Sequence, residues 1–244
     1  MPTETIKVIS WTDRSWVRRQ YQQFSGRFRL DETSGLYFDV ETPIAHRKLI
    51  SRTFLKLPGK VRHAAVYLGL TVSTTNRPAT LSGDQSAVYG AWDRPHSQIS
   101  PHLEITQASL TPEFVFPHLV HECCHLLWAI QTKAARAAYT NEIRTLVEEL
   151  GADDFIEVTG YAQTFFDAWQ EALLIADGLG ILHRRNLALD KWVMESFCES
   201  VAKICCPTYK EREERHTEGL LELRQAAMAE HFELTLESRL VAFA

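Results

Sequence analysis

Apolar residues recur with strand-like spacing in the first part of the chain and with helical spacing in the second. Up to about residue 110, the pattern predicts helices over 16–24 and 42–57 and strands over 61–75, 85–92 and 102–107. In the last of these strands, Leu103 and Ile105 alternate with polar neighbours, which gives the strand a single apolar face. This part therefore mixes α and β elements.

Helical spacing begins at Thr111 and continues through the second part of the chain. Thr111 and Pro112 are typical of a helix start, because Thr caps the first turn and Pro is tolerated within it. The apolar run over 117–139 follows, and Pro117 at its start predicts a kink or a restart of the helix. Further helices are predicted over 141–150, 163–177, 190–206 and 210–232. The predicted fold class is α+β, with a mixed half over 1–110 and a helical half over 111–244.

Composition and charge narrow the classes of function. The chain has 244 residues, of which 45% are hydrophobic and 23% charged, as in a globular protein with a sizeable core. A net charge of -5 provides no basic surface for nucleic acid. No apolar stretch has the length of a membrane span, and five cysteines, two pairs of them adjacent, do not suggest a disulfide framework. We therefore expect a cytoplasmic protein that binds neither nucleic acid nor membrane; its oligomeric state is not indicated.

Within the apolar run, the residues His121-Glu122-Cys123-Cys124-His125 form the pattern H-E-x-x-H. On a helix, residues four apart lie on the same face, so His121 and His125 can bind one zinc ion. Glu122 can then act as general base toward a water molecule. The alternative is a core helix with two hydrogen-bonded histidines and a surface Glu. Cys123 and Cys124 point away from the histidines, which favours small buried residues over metal ligands.

With this pattern, the chain resembles the zincin-fold zinc metallopeptidases. The resemblance rests on the five residues and the order of elements, and it implies a single zincin-like catalytic domain over 1–244 that acts on a peptide or protein. It also implies an edge strand ahead of the motif helix that holds extended substrate by strand addition, a role that fits 103–107. The metzincin branch is excluded, because its later Gly and His positions are Trp128 and Gln131 here.

The third zinc ligand is expected downstream of the motif. In the gluzincins it is a Glu on a later helix, and Glu171 fits this role because a carboxylate in an apolar stretch needs a compensating charge. A Glu on the solvent face of that helix is the alternative, and Asp167 and Asp177 are rival ligands. Some gluzincins carry an orienting Asp four residues after the Glu, but that position is Ile175 here. Asp167 is therefore the candidate for orienting a ligand.

Two more residues are weaker candidates. Tyr161, just ahead of Glu171, resembles the residue with which several gluzincins stabilise the oxyanion, although a core Tyr is the favoured interpretation. His183 is a further candidate for that role, or part of a charged loop. The sequence thus predicts a metallopeptidase with Zn²⁺ as cofactor. The alternatives are a non-catalytic zincin-like scaffold or regulatory binding module, and a thiol-based sensor using Cys123 and Cys124.

Overall fold

A computed structural model describes residues 26–75, 88–90, 101–107, 110–151, 160–174, 179–207 and 218–236. Within them the fold is mixed α and β. The strands are β1 (Phe28–Leu30), β2 (Tyr37–Asp39), β3 (Thr71–Thr75), β4 (Val88–Gly90) and β5 (His102–Thr106). The helices are α1 (Ile44–Phe54), α2 (Gly59–Leu68), α3 (Pro112–Ile130), α4 (Lys133–Leu150), α5 (Gly160–Leu174), α6 (Leu179–Cys205) and α7 (Glu218–Phe232).

The chain divides into two compact units. One consists of Met1–Leu55 with Ala65–Leu110, and the other of Lys56–Ala64 with Thr111–Ala244. The break between Leu110 and Thr111 coincides with the predicted boundary between the mixed and the helical halves. The helix predicted over 16–24 lies outside the described residues. Among the described helices, none combines the length and the apolar character that a bilayer-crossing segment needs.

The sheet of the first unit has the order β1-β2-β3-β5-β4. Strands β2, β3 and β5 are parallel, whereas β1 and β4 run antiparallel to their neighbours. The prediction that 103–107 forms the edge strand is wrong, because Leu103 pairs with Val72 on one side and with Gly90 on the other. Within the described residues, β4 is the outer strand on this side of the sheet, because it pairs with β5 on the side away from β3.

The strand predicted over 61–75 is also partly wrong. Its first half is helix α2, and only β3 is a strand. Val61, Ala64 and Ala65 are all fully buried and follow the i, i+3, i+4 spacing of a helix, and this spacing outweighs the strand preference of Val and Tyr. Gly69, with φ +70°, follows the helix in the left-handed conformation that glycine adopts at low cost. The helix predicted over 42–57 is confirmed by α1.

In the second unit, the apolar run over 117–139 forms two helices. Pro117 lies inside α3 without ending it, and α3 ends at Ile130. Thr132 then caps α4, because its Oγ1 accepts a hydrogen bond from the backbone N–H of Ala135 at 3.0 Å. An aromatic cluster joins four helices, with ring centroids 4.9–5.9 Å apart, and consists of Trp128, Tyr139, Phe197 and Phe232.

Candidate metal centre

The motif residues lie on α3 as predicted. The helix begins where expected: the Thr111 side chain accepts a hydrogen bond from the N–H of Phe114, and Pro112 occupies the first turn. His121 and His125 are one turn apart on one face. Their Nε2 atoms are separated by 3.2 Å. Both imidazoles therefore present the same nitrogen to the same point.

A third side chain reaches that point from α6. The Oε2 atom of Glu195 lies 3.4 Å from Nε2 of His121 and 3.6 Å from Nε2 of His125. The Glu195 side chain is 9% exposed, and its Oε2 accepts no hydrogen bond within the described part of the chain. Burying a carboxylate oxygen that accepts no hydrogen bond is energetically costly unless a positive charge compensates it.

The three atoms match the dimensions of a zinc site. They form a triangle with sides of 3.2, 3.4 and 3.6 Å. The point equidistant from its corners lies about 2.0 Å from each atom, and zinc keeps about 2.0–2.2 Å from imidazole nitrogen and carboxylate oxygen. Two imidazoles and one glutamate also form a donor set that catalytic zinc uses, with a fourth position left open. The residues present therefore fit the ion.

The electrostatics of the group are those of an imidazolium held between carboxylates. Burial acts to lower the pKa of His121, but the contact with Glu195 and the charges of Glu122, Glu195 and Glu199 raise it to about 9. For Glu195, burial acts to raise the pKa, but His121, His125 and Lys191 lower it overall. With this raised pKa, His121 carries a second ring proton at neutral pH in the metal-free protein. A metal ion would replace this proton, because only a deprotonated imidazole can bind it.

Two more carboxylates lie near the ligand set. Glu122 follows His121 directly, and its charge also acts on His118 and Cys123. Glu199 is 2% exposed and stands one turn after Glu195 on α6. Glu199 comes four residues after Glu195. At the same spacing after Glu171, the sequence has Ile175. Glu199 is therefore at a position from which its charge can change the basicity of a ligand histidine.

The structure brings Glu195, and not Glu171, to the two histidines. Glu171 is exposed on α5 and is not part of the group of ligand atoms. Asp167 is also exposed, and its Oδ1 accepts a hydrogen bond from Nε2 of Gln163 at 2.9 Å rather than contacting a ligand histidine. The third rival, Asp177, lies outside the described residues. The side chains of Tyr161 and His183, on α5 and α6, also lie outside the description.

A signal for Glu195 was present in the sequence. The helix predicted over 190–206 carries Glu195 and Glu199 four residues apart among apolar residues that are buried on α6. Two carboxylates on one face of such a helix need a compensating cation, for the same reason that makes Glu171 a candidate in the sequence. Nothing in the spacing alone tells which helix packs against the motif helix, so the choice required the tertiary structure.

The five cysteines are free and buried. Burial is the largest cause that raises the pKa of Cys123, Cys124 and Cys198 above the ordinary range of a thiol. Such thiols stay protonated, and a protonated thiol is both a poor metal ligand and a poor nucleophile. The expectation that Cys123 and Cys124 are small buried residues is confirmed.

Comparison with known proteins found no matching family model, no matching curated protein and no matching solved structure. The chemistry open to this chain therefore follows from the group itself. Two imidazoles and a carboxylate can hold a divalent ion, and a second carboxylate, Glu122, directly adjoins them. Such a group can activate a water molecule or serve as a structural metal site.

Proposed function

We propose that this protein is a zinc-dependent hydrolase that cleaves peptide bonds, with His121, His125 and Glu195 as zinc ligands. The observation that carries the proposal is the triangle of ligand atoms, with sides of 3.2, 3.4 and 3.6 Å around a buried carboxylate. Ligands of tetrahedral zinc at about 2.0–2.1 Å are separated by about 3.3–3.4 Å. The H-E-x-x-H pattern on a helix adds a base next to the ligands.

Each residue has a separate task in this proposal. When bound, zinc supplies a Lewis acid that polarises the scissile carbonyl and lowers the pKa of a water molecule. Glu122 accepts the proton of the attacking water and returns it to the leaving amine. Glu199 contributes a negative charge that makes His121 more basic and hence a stronger ligand. Burial of Glu195 holds its carboxylate in one position.

The test compares the wild-type protein with Glu122→Gln after each has been loaded with zinc. Bound zinc is measured by elemental analysis, and cleavage of a mixture of denatured proteins is followed by mass spectrometry. We expect equal zinc content and a loss of cleavage of about 10²–10⁴-fold in Glu122→Gln, the usual contribution of a general base. Glu113→Gln removes a carboxylate from the first turn of the same helix and serves as control. Full cleavage by Glu122→Gln would exclude the assigned role.

Burial of the ligands supports a second candidate, a non-catalytic zincin-like module with a structural metal. The side chains of His121, His125 and Glu195 are only 15%, 7% and 9% exposed. Structural zinc sites are closed to solvent, whereas catalytic sites keep one position open. This candidate predicts one bound zinc per chain and no cleavage by the wild-type protein in the same assay.

A further inference from the structure

A second group of side chains of the types that bind metal ions lies in the helical unit and shares no residue with the histidine motif. It consists of Glu142 on α4 and of Glu230 and His231 on α7, and its ligand atoms all lie within 4.8 Å of one another. Nε2 of His231 is in direct contact with Oε2 of Glu142. Among the described residues, this group and the one at His121 are those that can supply three metal ligands.

The packing of α4 against α7 brings these side chains together. The ring of Tyr139 on α4 lies 4.9 Å from that of Phe232 on α7, centroid to centroid. Glu142 follows Tyr139 by three residues and therefore lies on the same side of α4. His231 directly precedes Phe232. The buried aromatic contact thus sets the position of both helices, and the polar group lies at its margin, where Glu142 is 36% exposed.

The charges of the group favour a cation. Glu142 and Glu230 are both carboxylates, and a single imidazole carries at most one positive charge. A divalent cation neutralises both and leaves the imidazole free to act as ligand. One imidazole with two carboxylates is a donor set that suits zinc, manganese or iron(II), and partial exposure leaves room for water to complete the coordination.

We propose that Glu142, Glu230 and His231 form a second divalent metal site, which ties the end of α7 to α4. The site is distinct from the proposed zinc centre and does not depend on it. Helix α7 also contacts α6, the helix that carries Glu195: Nη1 of Arg224 donates a hydrogen bond to Oγ of Ser200 at 3.0 Å. Metal binding at the second site therefore stabilises the helices that support Glu195.

The test measures metal stoichiometry after equilibrium dialysis of the metal-free protein, against zinc alone and, separately, manganese alone. We expect two zinc ions per wild-type chain, and one in both His231→Gln and Glu142→Gln. Glu148→Gln serves as matched control, because Glu148 is an exposed carboxylate on the same helix that pairs with Arg144. It should bind two ions. We also expect addition of metal to raise the melting temperature of His121→Ala but not that of His121→Ala combined with Glu142→Gln.

Outcomes at the two centres can be told apart. If the zinc centre at His121 fails and the second site holds, the wild-type protein binds one ion, which His231→Gln abolishes and His121→Ala retains. Our proposal is overturned if His231→Gln and Glu142→Gln bind as many ions as the wild-type protein, with affinities within threefold, for both metals. It is equally overturned if the wild-type protein binds a single ion that only His121→Ala removes, or if it binds none.

Discussion

Replacing Glu195 by Gln tests whether this residue is a ligand of the proposed zinc centre. The change keeps the size of a buried side chain and removes one negative charge from a donor atom 3.4 and 3.6 Å from the two imidazole nitrogens. Loss of a residue that only orients a ligand costs about 10–100-fold in metal affinity. Loss of a ligand itself should cost at least the upper end of this range, about 2.7 kcal/mol.

Proton competition would hide part of this effect at neutral pH. The pKa of His121 is raised to about 9, largely through Glu195 and its neighbours against the effect of burial. At pH 7, zinc must therefore displace a proton that weakens binding by about 100-fold in the wild-type protein. Glu195→Gln lowers this pKa and relieves part of the competition, which offsets the lost ligand. Above about pH 9, the competition is small and only the ligand effect remains.

The assay is a competition titration with a chromophoric zinc chelator at pH 7 and at about pH 9.5. We expect Glu195→Gln to bind zinc at least about 100-fold more weakly at the higher pH, and to show a smaller difference at pH 7. Glu171→Gln is the matched control, because Glu171 is the ligand expected from the sequence but is exposed on α5. It should bind like the wild-type protein at both values. Equal binding by Glu195→Gln at pH 9.5, or a loss confined to Glu171→Gln, would refute the assignment.

Two further predictions follow from the pKa shifts. In the metal-free protein, His121 has a folded-state pKa of about 9 against an ordinary value of 6.5. Its protonated form therefore stabilises the fold fully below pH 6.5 and loses this contribution, up to roughly 3 kcal/mol, as the pH rises to 9. Urea unfolding with a chelator present should show the decline, and a midpoint independent of pH between 6.5 and 9 would contradict it. Because burial raises the pKa of Cys123, Cys124 and Cys198, these thiols should react with Ellman's reagent only after unfolding, as measured by mass spectrometry of the labelled peptides. Labelling of any of the three in the native protein would contradict this prediction, and labelling of Cys123 or Cys124 would favour the thiol-sensor alternative.

Local spacing was sufficient to predict the motif helix but not its partner. The start of α3 at Thr111 and Pro112 follows from capping, and the convergence of His121 and His125 follows from helical geometry. The Val and Tyr residues of α2 predict a strand because these residue types favour strands, whereas its apolar spacing is helical and the segment forms a helix. The third ligand depends on which later helix packs against α3, and this contact between distant segments leaves no local pattern.

The burial that the structure shows on the two helices distinguishes Glu171 from Glu195. On α5, the buried residues Ala162, Phe166 and Trp169 follow the i, i+4, i+7 spacing of a one-sided helix. Glu171 comes two positions after Trp169 and is therefore about 200° away around the axis, in agreement with its exposure. A carboxylate there is hydrated and needs no metal.

Helix α6 differs because it is buried on all sides over the segment that carries Glu195. Every residue over 195–202 is buried, so no face of this segment is available for solvating a charge. The stacked indoles of Trp169 and Trp192, 4.9 Å apart, show that α5 covers α6. The packing of α6 therefore buries Glu195 and Glu199 whether or not a cation is bound. A cation at His121 and His125 would offset the free-energy cost of burying these carboxylates. The cation-binding group is thus expected where a helix without a solvent face carries acids, and that criterion selects the segment of Glu195 and Glu199 over Glu171.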